Sequence, residues 1–130
     1  TGAARVALGT EMPAVFSNNK KIANILIKNS FDTNDPLWEL PLFSGYERFL
    51  KNENGSLSST GFSKTGGAIT AALFLEKFVL PNNNWMHIDL MGWNQQARPG
   101  YPHGGEAMGF RTLLRSIDEI YNDKSLKNFD

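Results

Sequence analysis

The run Thr65-Gly66-Gly67-Ala68-Ile69-Thr70-Ala71-Ala72-Leu73-Phe74-Leu75-Glu76-Lys77-Phe78-Val79 leaves this chain few ways to fold. Ala68, Ala71, Ala72, Leu75, Phe78 and Val79 recur at helical spacing and make one apolar stripe. Ile69, Leu73 and Phe74 carry the apolar surface around most of the remaining circumference, so that only Thr70, Glu76 and Lys77 want water. Such a helix is expected to be buried on most sides, with Leu75 fully packed. Its Gly66-Gly67-Ala68 start allows another backbone to approach closely. Pro81-Asn82-Asn83-Asn84 breaks the pattern, and residues 85–91 follow as a short apolar run closed by Gly92, which reads as a central strand. Helix and strand together predict one α/β unit.

The rest of the chain supplies partners for that unit. Residues 1–9 read as a strand end turning into a short helix that Gly9 is suited to terminate. Residues 12–16 suit a short strand. Ser17 or Asn18 then caps a helix with Ile22, Ile25 and Leu26 inward and Lys20, Lys21 and Asn24 outward, broken at residues 32–34. Pro36 and Pro41 keep residues 35–41 extended. Ser44-Gly45-Tyr46-Glu47 has the form of a capping box, opening a helix with Phe43, Tyr46, Phe49 and Leu50 on one face. Two long connections follow, residues 52–67 and 93–105, and loops of that length tend to be functional or disordered. A last helix, from about Gly105 to Tyr121, is expected to point Ala107, Phe110, Leu114, Ile117 and Tyr121 along one side. Residues 122–130 read as a polar tail.

Charge and composition narrow the function. Thirteen basic residues balance thirteen acidic ones with no sustained basic run, which argues against nucleic acid or an anionic membrane surface as main partner. There is no cysteine, hence no disulfide framework, thiolate ligand or thiol nucleophile. No apolar run has the length to cross a bilayer, and no signal-peptide pattern opens the chain. The start at Thr1-Gly2, without Met, suggests either a processed terminus or part of a longer chain.

Single residues offer chemistry but do not converge. His87 and His103 form no short ligand pair, and His87, alternating with Ile88 in a strand, reads as structural. Asp89 lies in the same apolar strand, where a carboxylate needs partners; holding loop backbone or a cationic side chain is the expected role. Arg98, in a loop rich in hydrogen-bonding groups, can clamp a carboxylate or staple the loop to a neighbouring subunit, and both readings stand. Lys64 can favour an anion near the start of the apolar helix. Gly104-Gly105 can cradle an anion, although no strand precedes it in a dinucleotide-binding pattern. Thr1 can act as an N-terminal nucleophile with its own amine as base, given maturation at that residue. Taken alone, these residues assemble no catalytic site and no metal site.

Taken together, four motifs are more telling. Thr1-Gly2-Ala3-Ala4-Arg5-Val6-Ala7-Leu8-Gly9, Asp35-Pro36-Leu37-Trp38-Glu39-Leu40-Pro41-Leu42, Gly66-Gly67-Ala68-Ile69-Thr70-Ala71-Ala72-Leu73-Phe74-Leu75 and Trp85-Met86-His87-Ile88-Asp89-Leu90 resemble the C-terminal part of leucyl (cytosol) aminopeptidases. Gly104-Gly105-Glu106-Ala107-Met108-Gly109-Phe110-Arg111-Thr112-Leu113 is similar to that family's closing helix. The order and approximate spacing are the family's, and the likeness covers nearly the whole chain.

The resemblance implies an α/β fold, three-layer α/β/α with a mixed sheet, of which residues 1–130 are the C-terminal portion of the catalytic domain. It implies a cytoplasmic homohexamer that hydrolyses N-terminal amino acids from peptides, with no nucleic-acid or membrane partner. Two divalent metal ions, zinc or manganese and in some cases magnesium, would activate the attacking water. The family's metal ligands and catalytic arginine lie in an Asn-Thr-Asp-Ala-Glu-Gly-Arg motif and in a Lys- and Asp-bearing stretch, neither of which occurs here. The chain is therefore expected to supply no catalytic or metal residue and to be inactive alone. By the same likeness Gly2 contacts bound peptide through its backbone N–H. Met91 and Asn94 line the pocket for the N-terminal side chain, and Thr60 lines the next one. Arg98 and His103 gain no catalytic role. Two competing readings are a non-enzymatic assembly or ligand-binding domain using residues 93–105, and a hydrolase built on Thr1.

Overall fold

The computed structural model of the chain describes residues 3–61 and 63–126. Its centre is β1 (Ala14–Ser17), where Ala14, Val15 and Phe16 have no solvent exposure at all. Strand alternation sends neighbouring side chains to opposite faces. Val15 joins Ile22, Ile25, Leu26, Leu37 and Leu126 in one core, while Ala14 and Phe16 join Ala4, Ala68 and Ala72 in the other.

β2 (Trp38–Glu39) pairs with β1 in parallel, Ala14 lying opposite Trp38. β3 (Met86–Asp89) pairs with the other side of β1 in antiparallel register, Ala14 opposite Asp89 and Ser17 opposite Met86. The strand order is thus β2-β1-β3, a mixed sheet. The crossover between the parallel strands is α2 (Lys20–Asp32), which shares the Val15 face with α4 (Phe110–Asn122). α1 (Arg5–Leu8) and α3 (Gly67–Glu76) cover the Phe16 face. Helices on both sides of a mixed sheet make the three layers that the resemblance implied. Among the described residues no helix is long and apolar enough to cross a membrane.

Local chemistry explains where the elements begin. Asn19, not Ser17 or Asn18, caps α2: its Oδ1 accepts from Lys21 N at 2.9 Å and Ile22 N at 3.4 Å. Asn18 is already committed elsewhere. Its Oδ1 accepts from Trp85 N at 2.8 Å and its Nδ2 donates to Asn83 O at 2.9 Å, stapling the approach to β3. The helix ends where Thr33 N and Oγ1 both return to Asn29 O and Asn34 turns to φ 50°. The expected inward set of Ile22, Ile25 and Leu26 is buried, with Ala23 beside it.

Several expectations fail. The apolar helix is not buried on most sides. α3 buries Ala68, Ala72 and Leu73, but Leu75 is 41% and Phe78 69% exposed. The reason is its layer: it lies outside the sheet, with its small residues toward Phe16 and one flank against a 3-10 helix, Ser44–Leu50. Gly66, at φ +69°, makes that flank possible, since a Cβ there would stand 3.0 Å from the Tyr46 ring. The capping box at Ser44 does not form. No side chain caps the 3-10 helix, and Glu47 instead pairs with Lys77 of the α3 C-terminus at 2.7 Å.

The run at residues 85–91 is not the central strand either. β3 lies at an edge of the described sheet, and β1, shorter in apolar sequence, takes the centre because β2 and β3 pair along both its edges. Residues 93–105 are a hairpin rather than an open loop, with β4 (Trp93–Asn94) antiparallel to β5 (Gly104–Gly105). The last helix consequently starts later than expected, at Phe110. Its N-terminus is closed by Asp35: Oδ1 accepts from Gly109 N at 2.8 Å, and Oδ2 from Arg111 N at 2.8 Å and Thr112 N at 3.2 Å. The expected stripe exists but faces outward, with Leu114 65% exposed, while Thr112 and Ser116 are buried.

Candidate functional site

The segment that resembles a peptide-binding loop and the exit of β3 meet at one side chain. Arg5, the first residue of α1, directs Nη1 to Met91 Sδ at 3.8 Å. Met91, Asp89 and Arg5 line a small cavity whose far side is formed by Thr10, Met12 and Pro13, on the way into β1. Gly2 and Thr1 lie outside the described residues. What is described is that the chain leaves residues 3–4, packed on the Phe16 core, directly beside Met91.

Asn94 stands in β4, buried, with its side chain fully engaged. Nδ2 donates to Tyr101 O at 2.8 Å and Pro102 O at 2.7 Å, and Oδ1 accepts from Arg98 Nη1 at 2.9 Å. The amide thus holds the hairpin together from within. Thr60 is exposed in the long connection before α3, its Oγ1 3.3 Å from Ser58 Oγ.

Of the two roles left open for Arg98, the geometry shows a staple, but one within this chain. Besides Asn94, its guanidinium meets Glu11 Oε1 at 3.4 Å and lies 4.1 Å from the centre of the Tyr101 ring. His103 meets Trp93 edge to face at 5.7 Å. His87 stacks between Phe16, at 5.9 Å, and Trp85, at 6.2 Å. Burial pushes its pKa below the ordinary histidine value, with Asp89 opposing, so the neutral ring is favoured in this aromatic stack. Asp89 itself is buried at the end of β3. Lys64 is exposed. Gly104 and Gly105 belong to β5 rather than to a helix start, and the Gly109, Arg111 and Thr112 amides at the start of α4 are taken by Asp35.

Among the described residues, no group of three or more His, Cys, Asp or Glu side chains could hold a metal ion. The donor set of the described residues therefore does not fit the metal pair that the resemblance implies. Sequence reasoning passed over Arg5 and Glu11. Nothing local marks them: each gains its meaning from a partner far along the chain, Met91 for one and Arg98 for the other.

The family model for the cytosol aminopeptidase family, catalytic domain, matches residues 1–114. A probable cytosol aminopeptidase from Syntrophotalea carbinolica (strain DSM 2380) is 39% identical over 121 residues, covering 92% of this chain and 24% of that protein. The crystal structure of the cytosol aminopeptidase from Coxiella burnetii superposes with a TM-score of 0.86 at 46% identity, over 94% of this chain and 27% of that one. The bottromycin maturation enzyme BotP in complex with Mn gives a TM-score of 0.82 at 30% identity, over 92% of this chain and 27% of its own. The chain spans about a quarter of the length of the curated relatives it matches, 24% in the first case.

Proposed function

Because the chain belongs to the cytosol aminopeptidase family, we propose that residues 1–130 form the C-terminal portion of a catalytic domain that removes N-terminal amino acids from peptides. In this reading the chain supplies the substrate-side wall, and residues outside it hold two divalent metals, zinc, manganese or magnesium. When bound, those ions would polarise the scissile carbonyl and activate water. No residue described here has to do either. The enzyme is cytoplasmic and homohexameric, and its substrates are peptides.

The observation that supports the reading is the contact between Arg5 and Met91. It sets the segment following Gly2 beside the exit of the edge strand, which is where two independent stretches would have to meet to enclose a substrate's first residue. Gly2 offers a backbone N–H to the peptide. Met91 contributes a flexible thioether that fills part of the side-chain pocket and adapts to several apolar shapes. Thr60 borders the following pocket. Asn94 contributes to the wall by placement, since its polar atoms are spent on the hairpin.

The test is Met91→Ala in the full-length enzyme, assayed side by side on Ala-, Leu- and Phe-amides. Enlarging the pocket should shift kcat/KM toward Phe relative to Ala by about tenfold or more, the scale of small changes in an apolar pocket. Equal losses on all three amides would show that Met91 packs rather than selects.

A further inference from the structure

We propose that Arg98 is a positioning residue for the substrate wall: acting through Asn94, it fixes the hairpin whose base carries Met91. The inference rests on the aminopeptidase reading above.

The argument begins at the buried amide of Asn94. Its two N–H groups are used by Tyr101 O and Pro102 O, which leaves Oδ1 as a buried acceptor that Arg98 Nη1 satisfies at 2.9 Å. Removing that donor would leave the acceptor desolvated and unpaired, which is costly enough to favour another side-chain position. Arg98 is in turn held from several directions. Its backbone N donates to Tyr101 O at 2.9 Å and its O accepts from Tyr101 N at 2.8 Å, closing the turn at Pro99-Gly100. The Tyr101 ring supports the guanidinium face at 4.1 Å, a cation–π arrangement. Glu11 approaches at 3.4 Å from the segment between α1 and β1, whose Thr10 and Met12 share a cavity with Met91.

Motion of the hairpin cannot be isolated from Met91. Trp93 pairs with Gly105 and Asn94 with Gly104, and Glu106 N donates to Gly92 O at 3.1 Å, so the hairpin's base is the residue that follows Met91. Arg98 thus links the two walls on either side of Met91, one through Asn94 and one through Glu11. Lysine does not replace it: one nitrogen, Nη1, meets both Asn94 and Glu11, and the planar guanidinium lying on the Tyr101 ring is what holds it there, a face that an ammonium lacks.

The experiment uses the full-length enzyme with Arg98→Ala, Arg98→Lys, Asn94→Ala and the Arg98→Ala/Asn94→Ala double variant. Loosening the wall should raise KM for Leu- and Phe-amides by about tenfold and alter the ratio between them, with kcat changing less than about threefold, since small displacements from a bound geometry are costly. Arg98→Lys should not restore KM. The double variant should be no worse than Asn94→Ala within about twofold, because the two residues act as one unit. Hydrogen exchange at the Glu106 amide gives an arm independent of activity: its protection should fall at least about tenfold in Arg98→Ala, while Ile25 in α2 keeps its own. Unchanged KM with a lowered Tm, or additive losses in the double variant, would overturn the proposal. A wild-type enzyme inactive on every amide overturns the aminopeptidase reading and the substrate half of this inference, whereas loss of Glu106 protection in its Arg98→Ala variant still establishes the brace.

Discussion

α2 and α4 have the same length, 13 residues, and pack against each other, yet they bury opposite chemistry. α2 turns Ile22, Ala23, Ile25 and Leu26 to the sheet. α4 turns Thr112 and Ser116 inward and leaves Phe110, Leu114, Ile117 and Tyr121 in water. The seam between them is polar and closed. Asn29 Nδ2 donates to Ser116 Oγ at 3.1 Å and Glu119 Oε2 at 3.0 Å, while its Oδ1 accepts from Arg115 Nε at 3.2 Å. One turn away, the Thr33 and Thr112 hydroxyls meet at 2.9 Å, and Thr112 Oγ1 donates to Asp35 O at 2.7 Å. Among the described residues no buried side-chain polar atom lacks a partner. The difference shows that amphipathic spacing tells which residues share a face, whereas the neighbour decides which face is covered. Small hydroxyl residues let the helices approach, and the network repays their desolvation.

The largest effect that this contrast predicts is in α2. Leu26 has no exposed surface and sits among Val15, Ile22 and Leu37, so Leu26→Ala should cost about 2–5 kcal/mol through lost burial and the cavity left behind. Urea unfolding of the 130-residue chain measures it. A loss below about 0.5 kcal/mol, the range of surface changes, would mean that α2 does not own its core.

The seam should respond less, but for a different reason. Asn29→Ala removes few apolar contacts and strands several polar groups at once: Ser116, Arg115 and Glu119 all lose a partner. The expected cost is about 1–3 kcal/mol, the range for a buried group left unsatisfied. Combining it with Ser116→Ala should be less than additive, since both changes act on one bond. Full additivity would show that the seam is a set of separate contacts rather than a network.

The same logic separates what the sequence revealed from what it hid. The inward face of α2 was legible because Ile22, Ile25 and Leu26 repeat within two turns and no long-range partner is needed to read them. The α/β class was legible for a similar reason, helped by motifs that resemble an aminopeptidase. The centrality of β1 was not. Four residues carry no period strong enough to show burial on both faces, and beyond its sequence neighbours α1 and α2 its coverage depends on α3 and Leu126 arriving from distant sequence. α3 was overestimated because an apolar circumference fixes no layer. The start of α4 was misplaced because Gly104-Gly105 return to pair with β4, a contact that a local window cannot contain. At the candidate site, Met91 was singled out by likeness alone, and the roles of Arg5, Glu11 and Asn94 follow from partners that only folding supplies.

The smallest expected effect lies on the face that α4 leaves open, and it is the sharpest test of the comparison. Leu114 is 65% exposed, so replacing it with Ala removes little surface that folding has taken from water. Leucine and alanine are both strong helix formers, so α4 itself should hold. In the 130-residue chain Leu114→Ala should therefore fall within about 0.5 kcal/mol of wild type, against the much larger loss at Leu26 on the neighbouring helix. The stripe continues into an apolar groove with Ile88, Leu90 and Leu113, so the same substitution in the longer aminopeptidase proposed above reads how much of that groove other residues cover. A cost of about 2 kcal/mol or more in the short chain, the scale of a buried leucine, would mean that Leu114 is covered in solution. Repeating the measurement over a range of chain concentrations then separates the causes: a cost that grows with concentration places a second copy on the stripe, and a constant one places it against the chain's own residues. Either result would give α4 two buried faces and erase its contrast with α2.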